Sequence, residues 1–342
     1  MQTLVDDIGS FPLPKSVERK AFEEAYILAR EYAVKDKNFR ENSFICRNFY
    51  DVIVDSFRKK CAAGLDVVNY PQHYDICKQF TEVINKAMEK GTYVVEEKDA
   101  IIPEVHVISK EAKSLCEELN KNKIALRVCV TGPMELYLKE VGTTAYKDVL
   151  LMFSESAKRF AKNAILRSKH VETVVVSLDE PSFGFRDVAA GKDEVIEVLE
   201  KAFNFSGAVR QIHVHSPARI VDLLEVKNID VISIEYAASP QNIECISRGM
   251  LEKADKHVRV GVSRTDIDAI LAELYEKNVA EPQIWQIAEE ERVIKQRFKK
   301  AKKRFGERMS FTGPDCGLGG WPTQEAAQLV LKRTVAAVKS NS

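Results

Sequence analysis

The chain has 342 residues, of which 45% are hydrophobic and 30% are charged, so it can bury the core of a large globular protein. Lysine plus arginine and aspartate plus glutamate both number 51, and the resulting zero net charge favours neither nucleic acid nor an anionic membrane as a partner. No apolar run is long enough to span a membrane, no signal peptide is recognisable, and the seven cysteines lack CxxC spacing, so we expect a cytoplasmic protein without disulfides.

Eight short β-rich segments follow one another along the chain. They cover residues 3–11, 65–71, 124–133, 173–181, 208–215, 229–236, 258–263 and 309–315. Most lack strict alternation of apolar and polar residues, which is typical of parallel strands covered on both faces. Helical patterns lie between them, at residues 16–34, 144–168, 192–203, 266–277 and 282–304. This order predicts an α/β protein, a single-domain (β/α)8 TIM barrel over residues 1–342.

The segment after the second strand, residues 72–107, is longer than a barrel connection needs. Within it, the stretch TYVVEEKDAIIPEVHVI alternates in the manner of two short antiparallel strands. We therefore predict a hairpin insertion after strand 2 that covers the mouth of the barrel.

Polar side chains follow several predicted strands at their carboxyl ends, where a TIM barrel places its chemistry. Among them, His215, Glu235 and Cys316 come from strands 5, 6 and 8. An imidazole, a carboxylate and a thiolate suit Zn²⁺, and three protein ligands leave one position open. His213 lies one pleat deeper on the same face of strand 5, so it is a possible additional ligand, a group that orients His215, or a core histidine.

Cys316 lies in the stretch SFTGPDCGLGGWPT, between strand 8 and the helix that follows it. The neighbouring Gly317, Gly319 and Gly320 allow the backbone to bend sharply and to approach another segment closely. An ordinary buried cysteine is the alternative interpretation of this turn. The matching positions of the histidine and the glutamate favour a metal ligand.

Seven motifs, spread from one end of the chain to the other, carry a family resemblance. They are DIGSFP (7–12), GLDVV (64–68), VTGP (130–133), LDEP (178–181), QIHVH (211–215), DVISIE (230–235) and GPDCGL followed by GW (313–321). In this order they resemble the C-terminal catalytic domain of the cobalamin-independent methionine synthase family, in the single-barrel short form known from archaea and some bacteria.

The resemblance implies a chemistry and a set of residues. In that family a zinc ion binds the thiol of homocysteine, and a methyl group is transferred to the sulfur. By position, His215, Glu235 and Cys316 match the zinc ligands. Ser10 and Asp179 match residues that hold the amino acid substrate, which makes Asp179 the candidate catalytic residue.

The chain also departs from the family pattern. The second zinc-binding cysteine, two residues after the histidine, is replaced by Pro217. Gln72 stands where the family has a glutamate that binds the amino group. The loop after strand 7 offers Arg264 and Asp266 in place of a histidine, and MELYLKEVG (134–142) replaces a tryptophan-containing folate loop.

We interpret the chain as a zinc-dependent methyltransferase that acts on a small thiol, with homocysteine as the first choice of acceptor and methionine as the product. The departures suggest a methyl-corrinoid, in a corrinoid protein, or a non-folate pterin as methyl donor. Tyr74 and Tyr137 could replace the tryptophan ring of the absent folate loop. One alternative is transfer to another thiol such as coenzyme M, because Gln72 and Arg264 suit an anionic acceptor. The other is a diverged, non-catalytic barrel that binds a thiol, a corrinoid or a protein partner.

Overall fold

A computed structural model describes residues 2–340, which contain all eight predicted strands. The strands are β1 (Leu4–Val5), β2 (Val68–Asn69), β3 (Ile124–Thr131), β4 (Val171–Asp179), β5 (Val209–Val214), β6 (Val231–Ile234), β7 (His257–Ser263) and β8 (Met309–Pro314). All neighbouring strands pair in parallel, in the order β1-β8-β7-β6-β5-β4-β3-β2. A parallel bridge between Asp6 and Val67 joins the two ends of this sheet, so the strands curl into a TIM-like barrel.

Helices alternate with the strands. They are α1 (Arg19–Val34), α2 (Ser43–Ile45), α3 (Asp51–Cys61), α4 (Lys78–Met88), α5 (Pro103–Glu118), α6 (Pro133–Glu140), α7 (Lys147–Asn163), α8 (Lys192–Ala202), α9 (Ile220–Glu225), α10 (Arg248–Lys253), α11 (Ile267–Glu276), α12 (Ile284–Ile287), α13 (Glu291–Phe305) and α14 (Gln324–Lys339). The predicted helix at 282–304 is divided into α12 and α13. Within residues 2–340, no helix has both the length and the apolar character to cross a lipid bilayer.

The predicted hairpin after strand 2 is not observed. Residues 78–88 form α4, Glu97–Asp99 form a 3₁₀ turn, and α5 begins at Pro103. Pro103 suits the first turn of a helix, because its missing N–H would have no intrahelical partner there. The apolar residues of α5 face both the barrel and a second layer of helices, so their spacing resembles alternation although residues 103–108 are helical.

The interior of the barrel is filled by alternating layers of side chains. One apolar layer takes one residue from each even-numbered strand segment: Val67, Val175, Val231 and Phe311. The next is polar and comes from the odd-numbered strands and their ends: Asp6, Arg127, Gln211 and Arg259, all fully buried. Asp6 binds Arg127 Nη1 through Oδ2 and Arg259 Nε through Oδ1, both at 2.7 Å. The strand sequences are mostly apolar, yet they contribute the charged and polar side chains of an ionic layer below the mouth of the barrel.

A separate aromatic cluster joins the helices between β1 and β2 to the barrel. Its rings are Phe22, Tyr26, Phe39, Phe49, Tyr50 and Tyr74, and Val107 of α5 packs against them. Beside this cluster, Glu104 of α5 is fully buried, and burial raises its pKa to about 8. Gln79 Nε2 lies 3.5 Å from Glu104 Oε2, whereas Glu104 Oε1 has no hydrogen-bond partner among residues 2–340.

Replacing Glu104 by glutamine is expected to make the free energy of unfolding less sensitive to a rise in pH from 5 to 8. The pKa of Glu104 is higher in the folded than in the unfolded chain, so the folded protein keeps a proton that the unfolded chain releases. The free energy of unfolding of the wild type should therefore fall, relative to Glu104→Gln, by up to about 1.4 kcal/mol per pH unit between pH 5 and 8. Urea denaturation across this range measures the difference.

Glu111→Gln is the matched control on the same helix. Although burial opposes them, hydrogen bonds from Tyr50 and Arg40 lower the pKa of Glu111. Glu111 is ionised in both states above pH 5, so this variant should keep a constant difference from the wild type. A flat difference for Glu104→Gln as well would contradict the prediction.

Candidate metal centre

Four side chains that can ligate a metal converge at the carboxyl ends of β5, β6 and β8. His213 is the penultimate residue of β5 and His215 follows that strand, while Glu235 follows β6 and Cys316 lies two residues beyond β8. One ligand atom from each of the four lies within 4.8 Å of the others. His215 Nε2 is 3.5 Å from Cys316 Sγ and 3.5 Å from Glu235 Oε1. The structure therefore brings together the three predicted ligands and the possible fourth.

His213 is the deepest of the four. Its Nδ1 lies 3.1 Å from Ser233 Oγ, whereas its Nε2 is buried without a hydrogen-bond partner in the described part of the chain. A buried polar atom without a partner costs about 1–3 kcal/mol, so a metal ion at Nε2 would remove this cost. Two imidazoles, one carboxylate and one thiolate form a donor set that suits Zn²⁺. The residues fit a zinc ion, with His213 available as a fourth donor.

The electrostatics of the cluster favour uncharged side chains when no cation is bound. Burial, together with the nearby Asp315 and Asp266, raises the pKa of Glu235 to about 8. Burial and Glu235 raise the pKa of the Cys316 thiol far above its usual value. Burial lowers the pKa of His215. A divalent cation among these groups reverses this balance, because it stabilises the carboxylate and the thiolate directly.

Ser10 lies against the loop that carries Cys316. Its Oγ accepts a hydrogen bond from Gly319 N at 3.1 Å, and its carbonyl accepts one from Leu318 N at 2.8 Å. A Cβ atom on Gly317 would lie 2.4 Å from Ser10 Oγ, so this approach requires glycine. The first strand segment and the cysteine loop are therefore joined directly, as the glycine-rich sequence predicted.

Asp179 ends β4 and pairs in register with His213 of β5. Ser177 Oγ donates a hydrogen bond to its Oδ1 at 2.6 Å. Burial raises the pKa of Asp179, while the positive charge of Arg127 in the layer below opposes that effect. Asp179 thus lies next to the four candidate metal ligands and is not one of them.

Gln72 and Arg264, which were suggested to bind an anionic acceptor, are both engaged by other side chains. Gln72 is buried, and its amide donates to Gln79 Oε1 at 2.8 Å. The Arg264 guanidinium is paired with Asp266 at 2.7 Å and with Glu273 at 2.8 Å. Neither side chain presents an uncompensated positive charge.

Neither tyrosine suggested for stacking a pterin is available for that role. Tyr74 is buried and stacks on Tyr26, with ring centroids 4.1 Å apart. Tyr137 is fully buried in α6, where its hydroxyl donates to Thr144 O at 2.6 Å. The stretch MELYLKEVG is mostly helix α6 rather than an open loop.

Sequence reasoning gave no role to two buried carboxylates beside the site. Glu180 accepts hydrogen bonds from Met134 N and Glu135 N at the start of α6. Asp315 accepts three from the backbone of residues 236–238. Each lies at the end of a predicted strand and directly adjoins a candidate site residue in sequence, and these two signals could have drawn attention to them.

Similarity to known proteins lies in the fold. No protein-family model and no curated protein sequence matches the chain. A B12-independent methionine synthase from Shewanella sp. W3-18-1, in complex with selenomethionine, superposes with a TM-score of 0.61 at 15% identity. This match covers 100% of the present chain and 98% of that chain. It supports the α/β barrel.

Two further structures are more distant. The homocysteine methyltransferase MmuM from Escherichia coli gives a TM-score of 0.46 at 10% identity, covering 97% of this chain and 96% of that one. An endo-β-1,4-mannanase from Thermotoga petrophila gives 0.45 at 8% identity, covering 100% and 78%. At these scores the two matches add nothing to the assignment of the fold.

Proposed function

We propose that this protein is a zinc-dependent methyltransferase that methylates the sulfur of a small thiol, with homocysteine as acceptor and methionine as product. One observation carries the proposal: ligand atoms of His213, His215, Glu235 and Cys316 lie within 4.8 Å of one another at the catalytic end of the barrel. The sequence motifs and the barrel of a B12-independent methionine synthase support the same reaction class.

The side chains around the cluster have distinct roles in this proposal. A zinc ion held there would keep the sulfur of the acceptor as a thiolate at neutral pH, where a free thiol is mostly protonated. Asp179, beside the cluster, pairs with the ammonium group of the acceptor. The Ser10 hydroxyl donates a hydrogen bond to the carboxylate of the acceptor. The new sulfur–carbon bond forms as the bond between donor and methyl breaks, and the electron pair of the broken bond stays with the donor.

Contacts of the chain favour an amino acid over coenzyme M as acceptor. An anionic sulfonate would need a free cation, but Arg264 is already paired with two carboxylates. Gln72 directs its amide N–H toward Gln79. Asp179 instead offers a carboxylate, which suits an ammonium group.

The buried tyrosines favour a donor other than a folate. Stacking on an aromatic ring adds about 1 kcal/mol beyond buried area and also fixes the orientation of a flat pterin. Tyr74 and Tyr137 are both buried and engaged elsewhere. A methyl-corrinoid, which brings its own bound methyl group, needs no such ring.

Side-by-side assays test the proposal. The zinc-loaded protein is given methylcobalamin or methyl-folate with homocysteine, and methylcobalamin with coenzyme M. We expect methionine to form fastest from methylcobalamin and homocysteine. Faster turnover with the folate would overturn the choice of donor, and preferred methylation of coenzyme M would overturn the choice of acceptor. No methylation of either thiol would contradict the proposed function and favour a non-catalytic barrel.

Replacing Asp179 by asparagine is expected to weaken binding of the acceptor without releasing zinc. A charge-assisted hydrogen bond in a partly buried site contributes about 1.5–3 kcal/mol, so the KM for homocysteine should rise by about 10- to 100-fold. Zinc content measured on the same samples is the control. Loss of zinc would show that Asp179 is a ligand and that the site is assigned wrongly.

A further inference from the structure

The end of β8 is tied to the loop after β6 by one buried carboxylate. Asp315 Oδ1 accepts hydrogen bonds from the backbone N–H groups of Tyr236 at 3.0 Å and Ala237 at 2.9 Å, and Oδ2 accepts one from Ala238 at 2.7 Å. These three amides directly follow Glu235, and Cys316 directly follows Asp315. A single side chain therefore joins the two segments that carry these ligands.

This connection passes over β7, which lies between β6 and β8 in the sheet. A Cβ atom at Gly261 of β7 would lie 2.1 Å from Asp315 Oδ1 and 2.6 Å from Asp315 Cα. No side chain larger than hydrogen can occupy that position while Asp315 keeps its place. From the layer below, Arg259 of β7 donates to the Pro314 carbonyl at 2.8 Å and holds the end of β8.

We propose that Asp315 is a positioning residue that sets the separation of Glu235 and Cys316, and that Gly261 provides the space for it. The proposal rests on the metal centre proposed above. Three backbone N–H groups on one buried carboxylate form a charge-assisted link of fixed geometry. Groups that orient metal ligands in this way contribute strongly to metal affinity although they do not touch the metal.

A comparable buried carboxylate links the neighbouring strands β3 and β4 and does not adjoin a candidate metal ligand in sequence. Glu180, after β4, accepts hydrogen bonds from Met134 N at 2.9 Å and Glu135 N at 2.7 Å. A Cβ atom at Gly132 would lie 2.2 Å from Glu180 Oε1. Glu180 and Gly132 therefore resemble Asp315 and Gly261 in burial and in crowding, with two backbone hydrogen bonds in place of three, and they provide the control variants.

The test measures metal binding rather than turnover. The variants Asp315→Asn and Gly261→Ala are compared with Glu180→Gln, Gly132→Ala and the wild type. Zinc affinity is determined by competition with a chromophoric chelator, and the thiolate-to-metal absorption band is recorded with Co²⁺. We expect zinc affinity to fall by about 10- to 100-fold in Asp315→Asn and Gly261→Ala, with a weaker Co²⁺ band. The two controls should keep wild-type affinity and spectrum, whereas we expect the thermal unfolding temperature to shift in all four variants.

The outcomes separate the two proposals. Wild-type affinity and spectrum in Asp315→Asn, with stoichiometric metal in the wild type, would overturn the positioning role and leave the metal centre intact. If Asp315→Asn does not fold, Gly261→Ala decides in the same way. An equal loss of affinity in Gly132→Ala would also overturn the proposal, because the effect would then be general to the barrel. A wild-type protein that binds neither Zn²⁺ nor Co²⁺ would overturn the metal centre and the positioning role together.

Discussion

Replacing Cys316 by serine is expected to remove most of the bound zinc while the barrel remains folded. The apparent binding free energy of a structural zinc site is about 10–16 kcal/mol, or roughly 3 kcal/mol for each of four ligands, so zinc affinity should fall by about 100-fold or more. Cys316 lies in a loop beyond β8 and is only half-buried, so the fold should lose little stability. Metal analysis after dialysis, together with thermal unfolding, measures both effects.

Cys77→Ser is the matched control for this prediction. Cys77 is also half-buried and lies in the loop after β2, but it is not a member of the four-residue cluster. Its replacement should leave zinc content unchanged. Stoichiometric zinc of wild-type affinity in Cys316→Ser would show that this thiol is not a ligand, and loss of zinc from both variants would indicate a non-specific effect.

The candidate ligands could be predicted because two simple rules apply to them. Parallel barrel strands end at one rim, and His215, Glu235 and Cys316 each follow an apolar run in the sequence. Neighbouring strands then bring these positions together whatever the distance along the chain. The environment of His213 could not be predicted, because it depends on which of its two ring nitrogens forms a hydrogen bond with Ser233.

Features that depend on packing between distant segments could not be predicted. The second half of the segment 92–108 resembled a strand because α5, which begins at Pro103, is covered on two sides, and this hides its helical period. Gln72 and Tyr74 stand in a suggestive part of the sequence, yet both are bound to neighbours that the sequence does not reveal. The crossing of Asp315 over Gly261 likewise depends on the close approach of β6, β7 and β8.

The ionic layer in the barrel is the clearest case of such hidden structure. Its members Asp6, Arg127, Gln211 and Arg259 are spread over some 250 residues and lie within apolar strand sequences. Each guanidinium is bound to Asp6, and with its amide turned to suit the contact, the Gln211 oxygen accepts from Arg127 at 2.7 Å. Two buried cations therefore depend on one carboxylate.

Replacing Asp6 by asparagine is therefore expected to destabilise the fold strongly. Removing one partner of a buried ion pair costs about 3–5 kcal/mol, because an uncompensated charge remains in the interior, and here two guanidinium groups lose the same partner. Arg259 also holds the Pro314 carbonyl, so the end of β8 should loosen as well. Equilibrium urea denaturation measures the loss in the free energy of unfolding.

Asp230→Asn is the control for the charge change itself. Asp230 accepts two hydrogen bonds from the Arg210 guanidinium and one from the Arg210 backbone N–H, but this pair is partly exposed, with 23% and 40% of the arginine and aspartate side chains accessible. Exposed pairs contribute about 0–1 kcal/mol, so this variant should cost far less. Equal costs for the two aspartates would show that burial of the Asp6 layer is not what makes it important. The double variant Asp6→Asn with Arg259→Met should be less damaged than the sum of the two single variants, because the second change removes one of the charges that the first leaves unpaired.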